Sequence, residues 1–294
     1  MNKKIFDVPE EDILCQGHMA CIGCGVPLAM KFMLKGLGKK TILVVPACCY
    51  SVIDGAYPYS ASGVTLVHVP ISSGASVSSG IRAGLDMIND TETQVVAWSG
   101  DGGTYDIGFQ ALSGASERNE NIIYVCYDNE AYMNTGIHRS SASPFMVWTT
   151  TTPIASPKSV PKKNIDFIIA EHKIPYVATA SIAFPDDLIR KFVTAKNIKG
   201  MKFIHILTPC PTGWRANPSQ TIKIARLAVQ SGIFPLFEIK NGEFTLNYDE
   251  KDKTVEDYFK LQGRFSHLKR RDIINSQKDV DKRWKKIIKM RKII

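Results

Sequence analysis

Six short apolar runs, rich in β-branched residues and closed by turn-forming residues, recur along most of the chain: Thr41 to Val45, Thr65 to Ile71, Gln94 to Trp98, Asn121 to Tyr127, Pro175 to Thr179 and Lys202 to Leu207. Runs of this length with little polar alternation read as strands buried on both faces. Helix-length stretches rich in Ala, Leu and Gly accompany them: Pro27 to Leu37, Gly74 to Ile88, Ile107 to Ser116, Ile165 to His172, Pro185 to Asn197 and Ser219 to Gln230. Strands alternating with helices predict an α/β fold on a mostly parallel sheet. Ligands of such sheets bind at the carboxyl ends of strands, so the loops after Trp98 and Tyr127 are the first places to look for chemistry. At 294 residues and 44% hydrophobic content the chain can bury a sizeable core. Residues 1–250 read as one domain, and 251–294 as a basic C-terminal extension.

That extension carries the charge. Twelve Lys or Arg residues from Leu261 to Ile294 face three acids, an excess of nine that equals the net charge of +9 for the whole chain. Such a segment suits nucleic acid, an anionic membrane or an acidic protein. Its apolar residues Trp284, Ile287, Ile288, Met290, Ile293 and Ile294 recur near helical spacing. An amphipathic helix serving subunit assembly, or docking of an electron acceptor, is therefore expected in preference to nucleic-acid binding. No apolar run reaches the roughly 18 residues of a membrane span, and the start lacks the pattern of a signal peptide. A cytoplasmic location is expected. Seven cysteines, an odd number, then point to thiolate ligands or buried thiols and away from a disulfide framework.

Trp98-Ser99-Gly100-Asp101-Gly102-Gly103 follows one strand and precedes a helix expected to begin near Asp106 or Ile107. Glycines there let backbone N–H groups approach a phosphate, the helix N-terminus adds partial positive charge, and Asp101 is a hard oxygen ligand suited to magnesium. After the next strand comes Asp128-Asn129-Glu130-Ala131-Tyr132-Met133-Asn134-Thr135-Gly136. One β-α-β unit separates Asp101 from Asn129, so both should emerge from neighbouring strands at one sheet edge.

The cysteines form a second constellation. Cys21 and Cys24 make a Cys-x-x-Cys pair, Cys49 lies in the loop after the first strand, and Cys210 sits in Thr208-Pro209-Cys210-Pro211-Thr212-Gly213-Trp214. Four thiolates suit either Zn²⁺ or a [4Fe–4S] cluster, and spacing alone does not choose. Cys126, inside a strand, reads as a small buried apolar residue.

Gly100-Asp101-Gly102 with Asn129 at position 101 plus 28 resembles the thiamine diphosphate-binding motif. Together with Gly17 to Gly25, Cys49, Tyr132 to Gly136, His138 to Ser141, Trp148 to Pro153 and the Pro-Cys-Pro-Thr-Gly-Trp stretch, it resembles the β subunits of pyruvate:ferredoxin oxidoreductases (pyruvate synthases), of the 2-oxoacid:ferredoxin oxidoreductase family. The resemblance runs from about Cys15 to near Glu238. It implies a thiamine diphosphate-binding fold with helices on both faces of the sheet. It also implies Mg²⁺ held by the Asp101 carboxylate, the Asn129 side-chain oxygen and the Ala131 carbonyl. Cofactor contacts would fall on Cys49, Gly100, Asp101, Gly102, Gly103, Asn129, Glu130, Ala131, Tyr132, Met133 and Asn134, with Asn134 as the catalytic candidate at the reactive end. A [4Fe–4S] cluster would take Cys21, Cys24, Cys49 and Cys210; position 49, not Cys48, keeps the family's spacing of 25 from Cys24. Val26 departs from fused-subunit relatives, which often carry Glu there. The implied activity is coenzyme A-dependent oxidative decarboxylation of pyruvate, with electrons passing through the cluster to ferredoxin. An α subunit would supply the activating Glu, with γ and δ (ferredoxin-like) subunits completing the assembly. The alternatives are a related branched-chain 2-oxoacid, 2-oxoglutarate or oxalate oxidoreductase subunit, and a non-catalytic zinc or electron-transfer module.

Overall fold

The computed structural model describes residues 8–291. Eight strands form one sheet: β1 (Thr41–Pro46), β2 (Thr65–Val69), β3 (Gln94–Gly100), β4 (Ile123–Asp128), β5 (Tyr176–Ser181), β6 (Lys202–Leu207), β7 (Phe237–Lys240) and β8 (Glu243–Leu246). Their spatial order is β2-β1-β3-β4-β6-β5-β7-β8. The first six are parallel to their neighbours. Two more, β7 and β8, add an antiparallel edge that the apolar runs did not announce. Each has four residues, and the signal for them is Asn241-Gly242, both at positive φ (50° and 86°), the hairpin turn that such a pair favours.

Period two along the strands sends side chains to two cores. Leu43, Val45, Val96, Trp98, Ile123, Val125, Ile204 and Ile206 face α1 (Gly25–Leu37) and α6 (Pro185–Lys196). In α1 the buried Val26, Ala29, Met30, Met33, Leu34 and Leu37 recur at three- and four-residue steps, which makes one apolar stripe. Gly36 lets that stripe meet α6 closely, since a Cβ there would lie 2.7 Å from Phe192 Cβ. On the other face Val44, Val95, Ala97, Tyr124, Cys126, Val177 and Phe203 pack under α3 (Gly74–Met87), α4 (Phe109–Glu117) and α5 (Ile165–Ala170). Helices thus cover both faces, as expected. A third core gathers Trp214 at the end of α7 (Pro211–Trp214), α8 (Thr221–Gln230) and α9 (Val255–Phe259). The short α2 (Cys49–Ile53) follows β1.

The basic segment does form a helix, α10 (Arg270–Arg291), but the described part of its apolar stripe, Trp284 to Met290, is not left for a partner. Ile287 is buried among Phe237, Phe244 and Leu246, with Trp284, Ile288 and Met290 packed against the same core. The reason is the antiparallel edge, whose aromatic face needs a cover. Lys278, Lys282, Lys285, Lys286 and Lys289 are exposed. The remainder of the expected stripe, Ile293 and Ile294, lies outside the described residues, as does the start of the chain to Asp7. Among the described residues no helix is long and apolar enough to cross a membrane.

Candidate active site

β3 and β4 are adjacent, with Gly100 opposite Tyr127, so Asp101 and Asn129 leave neighbouring strand ends on the same edge. Helical backbone begins at Asp101 itself, earlier than the glycines suggested, and continues through a π-helical turn, Gly103–Ile107, before α4. Such turns are rare and frequent at functional sites. The glycines are also needed sterically. A Cβ on Gly102 would stand 2.1 Å from the Tyr132 ring, and one on Gly103 2.7 Å from Ser99 Oγ. Tyr132 lies across the motif and donates to Gly102 O at 3.2 Å and Asp106 Oδ2 at 3.0 Å.

Asp101 is 1% exposed and accepts from Ser140 Oγ at 2.5 Å. Burial raises its carboxyl well above the carboxylate range, and the neighbouring charge of Asp128 adds to this. The Asn129 amide places one terminal atom 3.0 Å from Asp101 Oδ1 and 2.9 Å from Ala131 O. Its other terminal atom points at Cys49 Sγ, 3.7 Å away, as an N–H donor. With nitrogen toward the thiol, three oxygens face one another. That geometry is satisfied either by turning the amide, so that it donates, or by a hard cation shared among the three. The residues therefore fit a divalent cation of the magnesium type. Asn134 joins the same corner, its Oδ1 accepting from Cys49 Sγ at 3.6 Å. Met133 lies beneath the Cys210 turn, where a Cβ on Gly213 would fall 2.2 Å from Met133 Sδ.

Behind this edge lies a buried charge network that no local motif revealed. Glu130 holds a left-handed backbone (φ 67°), unfavourable for an L residue and kept only where its surroundings impose it. Its N–H donates to Asp128 Oδ1 at 2.8 Å, Ser143 Oγ donates to its carbonyl at 2.7 Å, and its carboxylate meets Lys162 Nζ at 3.0 Å and Arg264 Nη2 at 2.6 Å. Asp128 Oδ2 accepts from Lys162 at 2.5 Å and His205 Nε2 at 2.8 Å, while His205 Nδ1 donates to Asp166 at 2.9 Å. Burial alone would raise the Asp128 carboxyl, yet Lys162 and His205 hold it far below the usual range. Burial likewise opposes the imidazolium, but Asp166 and Asp128 push His205 up to about 9, so both ring nitrogens donate at neutral pH. Three acids face three cations, which lets the group stay buried. Trp214 closes the arrangement, donating from Nε1 to Asn129 O at 2.7 Å.

The four proposed cluster cysteines share one region. Cys24 caps α1, Cys49 opens α2, and Cys210 caps α7 with Sγ accepting from Gly213 N at 3.4 Å. Between Cys21 and Cys24, Gly23 takes φ 74°, and a Cβ there would lie 2.6 Å from Pro218 O. Burial pushes the Cys24 thiol up to about 12, with Cys210 and Cys21 contributing repulsion. Cys49 is raised by burial and by Cys210, Cys48 and Cys24. These thiols therefore repel one another when ionised, the situation that a cationic metal centre relieves. Among the described residues no three His, Cys, Asp or Glu side chains are close enough to grip one metal ion. A [4Fe–4S] cluster spreads its four cysteines wider, because each binds a different iron. Of the remaining cysteines, Cys126 is fully buried in the second core, Cys48 is turned toward Ser51, and Cys15 is exposed. Val26 is a core residue of α1.

Comparison with known proteins matches this frame. Residues 52–206 match the thiamine pyrophosphate enzyme, C-terminal TPP binding domain. The chain is 48% identical to the ketoisovalerate oxidoreductase subunit VorB of Pyrococcus furiosus over 99% of this chain and 97% of that one. It is 46% identical to the pyruvate synthase subunit PorB of Methanocaldococcus jannaschii over 96% of this chain and 98% of that one. The fold resembles that of the 2-oxoglutarate:ferredoxin oxidoreductase from Magnetococcus marinus, with a TM-score of 0.58 and 20% identity over 71% of this chain and 77% of that one. The chain therefore belongs to the thiamine pyrophosphate enzymes and, within them, to the 2-oxoacid oxidoreductase subunits.

Proposed function

We propose that this chain holds the Mg²⁺ and diphosphate of thiamine diphosphate beside a [4Fe–4S] cluster, in an enzyme that oxidatively decarboxylates pyruvate with coenzyme A and passes electrons to ferredoxin. The observation that carries this reading is that one terminal atom of the Asn129 amide lies 3.0 Å from Asp101 Oδ1 and 2.9 Å from Ala131 O. Those three groups would hold Mg²⁺. Thiamine diphosphate, when bound, supplies the electron sink that decarboxylation needs. The chain's own residues orient and enclose: Ser140 fixes one oxygen of Asp101, Tyr132 covers the glycine turn, and Asn134 stands beside Cys49. Cys21, Cys24, Cys49 and Cys210 would hold the cluster, which suits one-electron transfer. The activating Glu belongs, in this reading, to an α subunit, with γ and δ subunits completing the complex, so the chain alone is inactive.

The decisive experiment is metal and cofactor analysis of the anaerobically purified complex. Magnesium and thiamine diphosphate are expected, with about four irons per copy of this chain beyond those of the ferredoxin-like subunit, and that excess should disappear from the Cys49→Ser complex; zinc lost from that variant with no loss of iron would reject the cluster and favour the zinc-module alternative. A branched-chain 2-oxoacid is the second reading, favoured by the 48% identity to a ketoisovalerate oxidoreductase subunit. The ratio of kcat/KM for pyruvate and 2-ketoisovalerate in the same preparation separates the two substrates.

A further inference from the structure

Arg264 lies in the basic C-terminal segment, beyond the motifs read from the sequence, and yet its side chain is 3% exposed. Its backbone is pinned to the turn that follows Cys210. Gly263 N donates to Arg215 O at 3.0 Å, and a Cβ on Gly263 would lie 2.8 Å from Arg215 Cβ. From that anchor the guanidinium reaches Glu130 Oε2 at 2.6 Å and Gln262 Oε1 at 2.7 Å, and stacks 3.8 Å over the Trp214 ring. Trp214 in turn donates to Asn129 O at 2.7 Å. One planar group therefore touches both neighbours of the Asn129 peptide: the carboxylate of Glu130, which follows it, and the indole bonded to its carbonyl.

We propose that Arg264 is a positioning residue for the cation and diphosphate, fixing Glu130 and Trp214 and through them the Asn129 amide and the Ala131 carbonyl. The inference rests on the cation reading above and deepens it. Glu130 sits at φ 67°, and relaxation toward an extended backbone would rotate the peptides on either side, separating the Asn129 amide from Ala131 O. Lys162 also pairs with Glu130, at 3.0 Å, but it is shared with Asp128 and cannot stack on Trp214. Arginine suits the place because its rigid fork meets Glu130 and Gln262 while its flat face lies on the indole; an ammonium supplies only a point charge.

The test uses the assembled complex stripped of cofactor, titrated with Mg²⁺ at fixed thiamine diphosphate and read by equilibrium dialysis. Arg264→Met keeps the stem and removes the fork; its apparent Kd for Mg²⁺ should rise about 10- to 100-fold, the usual effect of removing a group that orients metal ligands. Arg264→Lys should fall between wild type and Arg264→Met. Because a buried Glu130 left with only the Lys162 it shares with Asp128 could itself unsettle the fold, the double variant Glu130→Gln/Arg264→Gln removes both charges together. Restored thermal stability with cation affinity still weakened supports positioning. Affinity that returns with stability would reduce Arg264 to a structural role and overturn the proposal, as would unchanged affinity in Arg264→Met. A wild-type complex that binds no thiamine diphosphate would overturn the proposed function and this inference together, whereas normal wild-type binding with unaltered variants overturns the inference alone.

Discussion

Asp101 is the residue on which the proposed chemistry turns, because it is a buried carboxyl group whose side-chain neighbours within hydrogen-bond distance, the Ser140 hydroxyl and the Asn129 amide, are both uncharged. A hydroxyl and an amide give hydrogen bonds and no charge, so a divalent cation has most to gain there. Asp101→Ala should strongly reduce retention of thiamine diphosphate and magnesium on gel filtration while leaving the circular dichroism of the fold unchanged; full cofactor content in a folded variant would remove Asp101 from the site. Cysteine replacements separate ligand from filler. Cys21→Ser, Cys24→Ser, Cys49→Ser and Cys210→Ser should each lose or degrade the visible absorption of the proposed cluster, whereas Cys126→Ser, in the second core, should keep it. The reverse pattern at Cys126 and Cys49 would overturn the assignment. His205 makes a pH prediction. Its pKa is raised by folding to about 9 from an ordinary value near 6.5, so its stabilisation is complete below about 6.5 and is lost as pH rises through about 9. The contribution is at most about 3 kcal/mol at its full extent. Thermal melts of the wild type should fall across that window, and His205→Gln should flatten the fall.

At the level of elements, five of the parallel strands, β1, β3, β4, β5 and β6, were legible because each is a near-continuous apolar run buried on both faces; β2, expected to be buried likewise, is the edge strand, half-buried at best, and β7 and β8 were not legible at all. Phe237–Lys240 and Glu243–Leu246 are too short for their alternation to stand out, and their cover is a helix that begins 24 residues after Leu246. The proposed site's motifs were legible for the opposite reason: Gly100 to Gly103 and Asn129 to Asn134 are each a local run of suitable residue types, and one β-α-β unit suffices to bring them to neighbouring strand ends. What holds them was not. Ser140 is 39 positions from Asp101, Lys162 is 32 from Glu130, and Arg264 is 134 from Glu130, separations over which spacing carries no information. The helix α10 gives the test at this scale. Since Ile287 seals Phe237, Phe244 and Leu246, deleting residues 277–294 should expose that face and destabilise the chain itself, and Ile287→Ala alone should cost about 2–5 kcal/mol. A truncated chain with an unchanged melting temperature would show that the packing contributes nothing.

For the whole molecule, the burial of that apolar stripe decides what the basic segment can offer to others. Over the described C-terminal turns, α10 spends Trp284, Ile287, Ile288 and Met290 inside its own chain and presents its lysines, and a surface of charge without an apolar core suits a weak, salt-screened encounter better than a permanent subunit interface. Lys282, Lys285, Lys286 and Lys289 are exposed in the last turns of α10, with Lys278 one turn before them. An acidic electron-carrying protein would be drawn to them over a Debye length of about 8 Å at physiological salt, so the effect should lie in the rate of encounter and weaken as salt rises. Reversing the four charges with Lys282→Glu, Lys285→Glu, Lys286→Glu and Lys289→Glu should raise KM for an acidic ferredoxin and flatten its dependence on ionic strength. Reduction of a small viologen dye and co-purification of the other subunits should be unaffected, because neither relies on this face. A variant that reduces ferredoxin with unaltered KM and salt dependence would eliminate docking at α10, and one that no longer assembles would instead place a permanent partner on the lysine face.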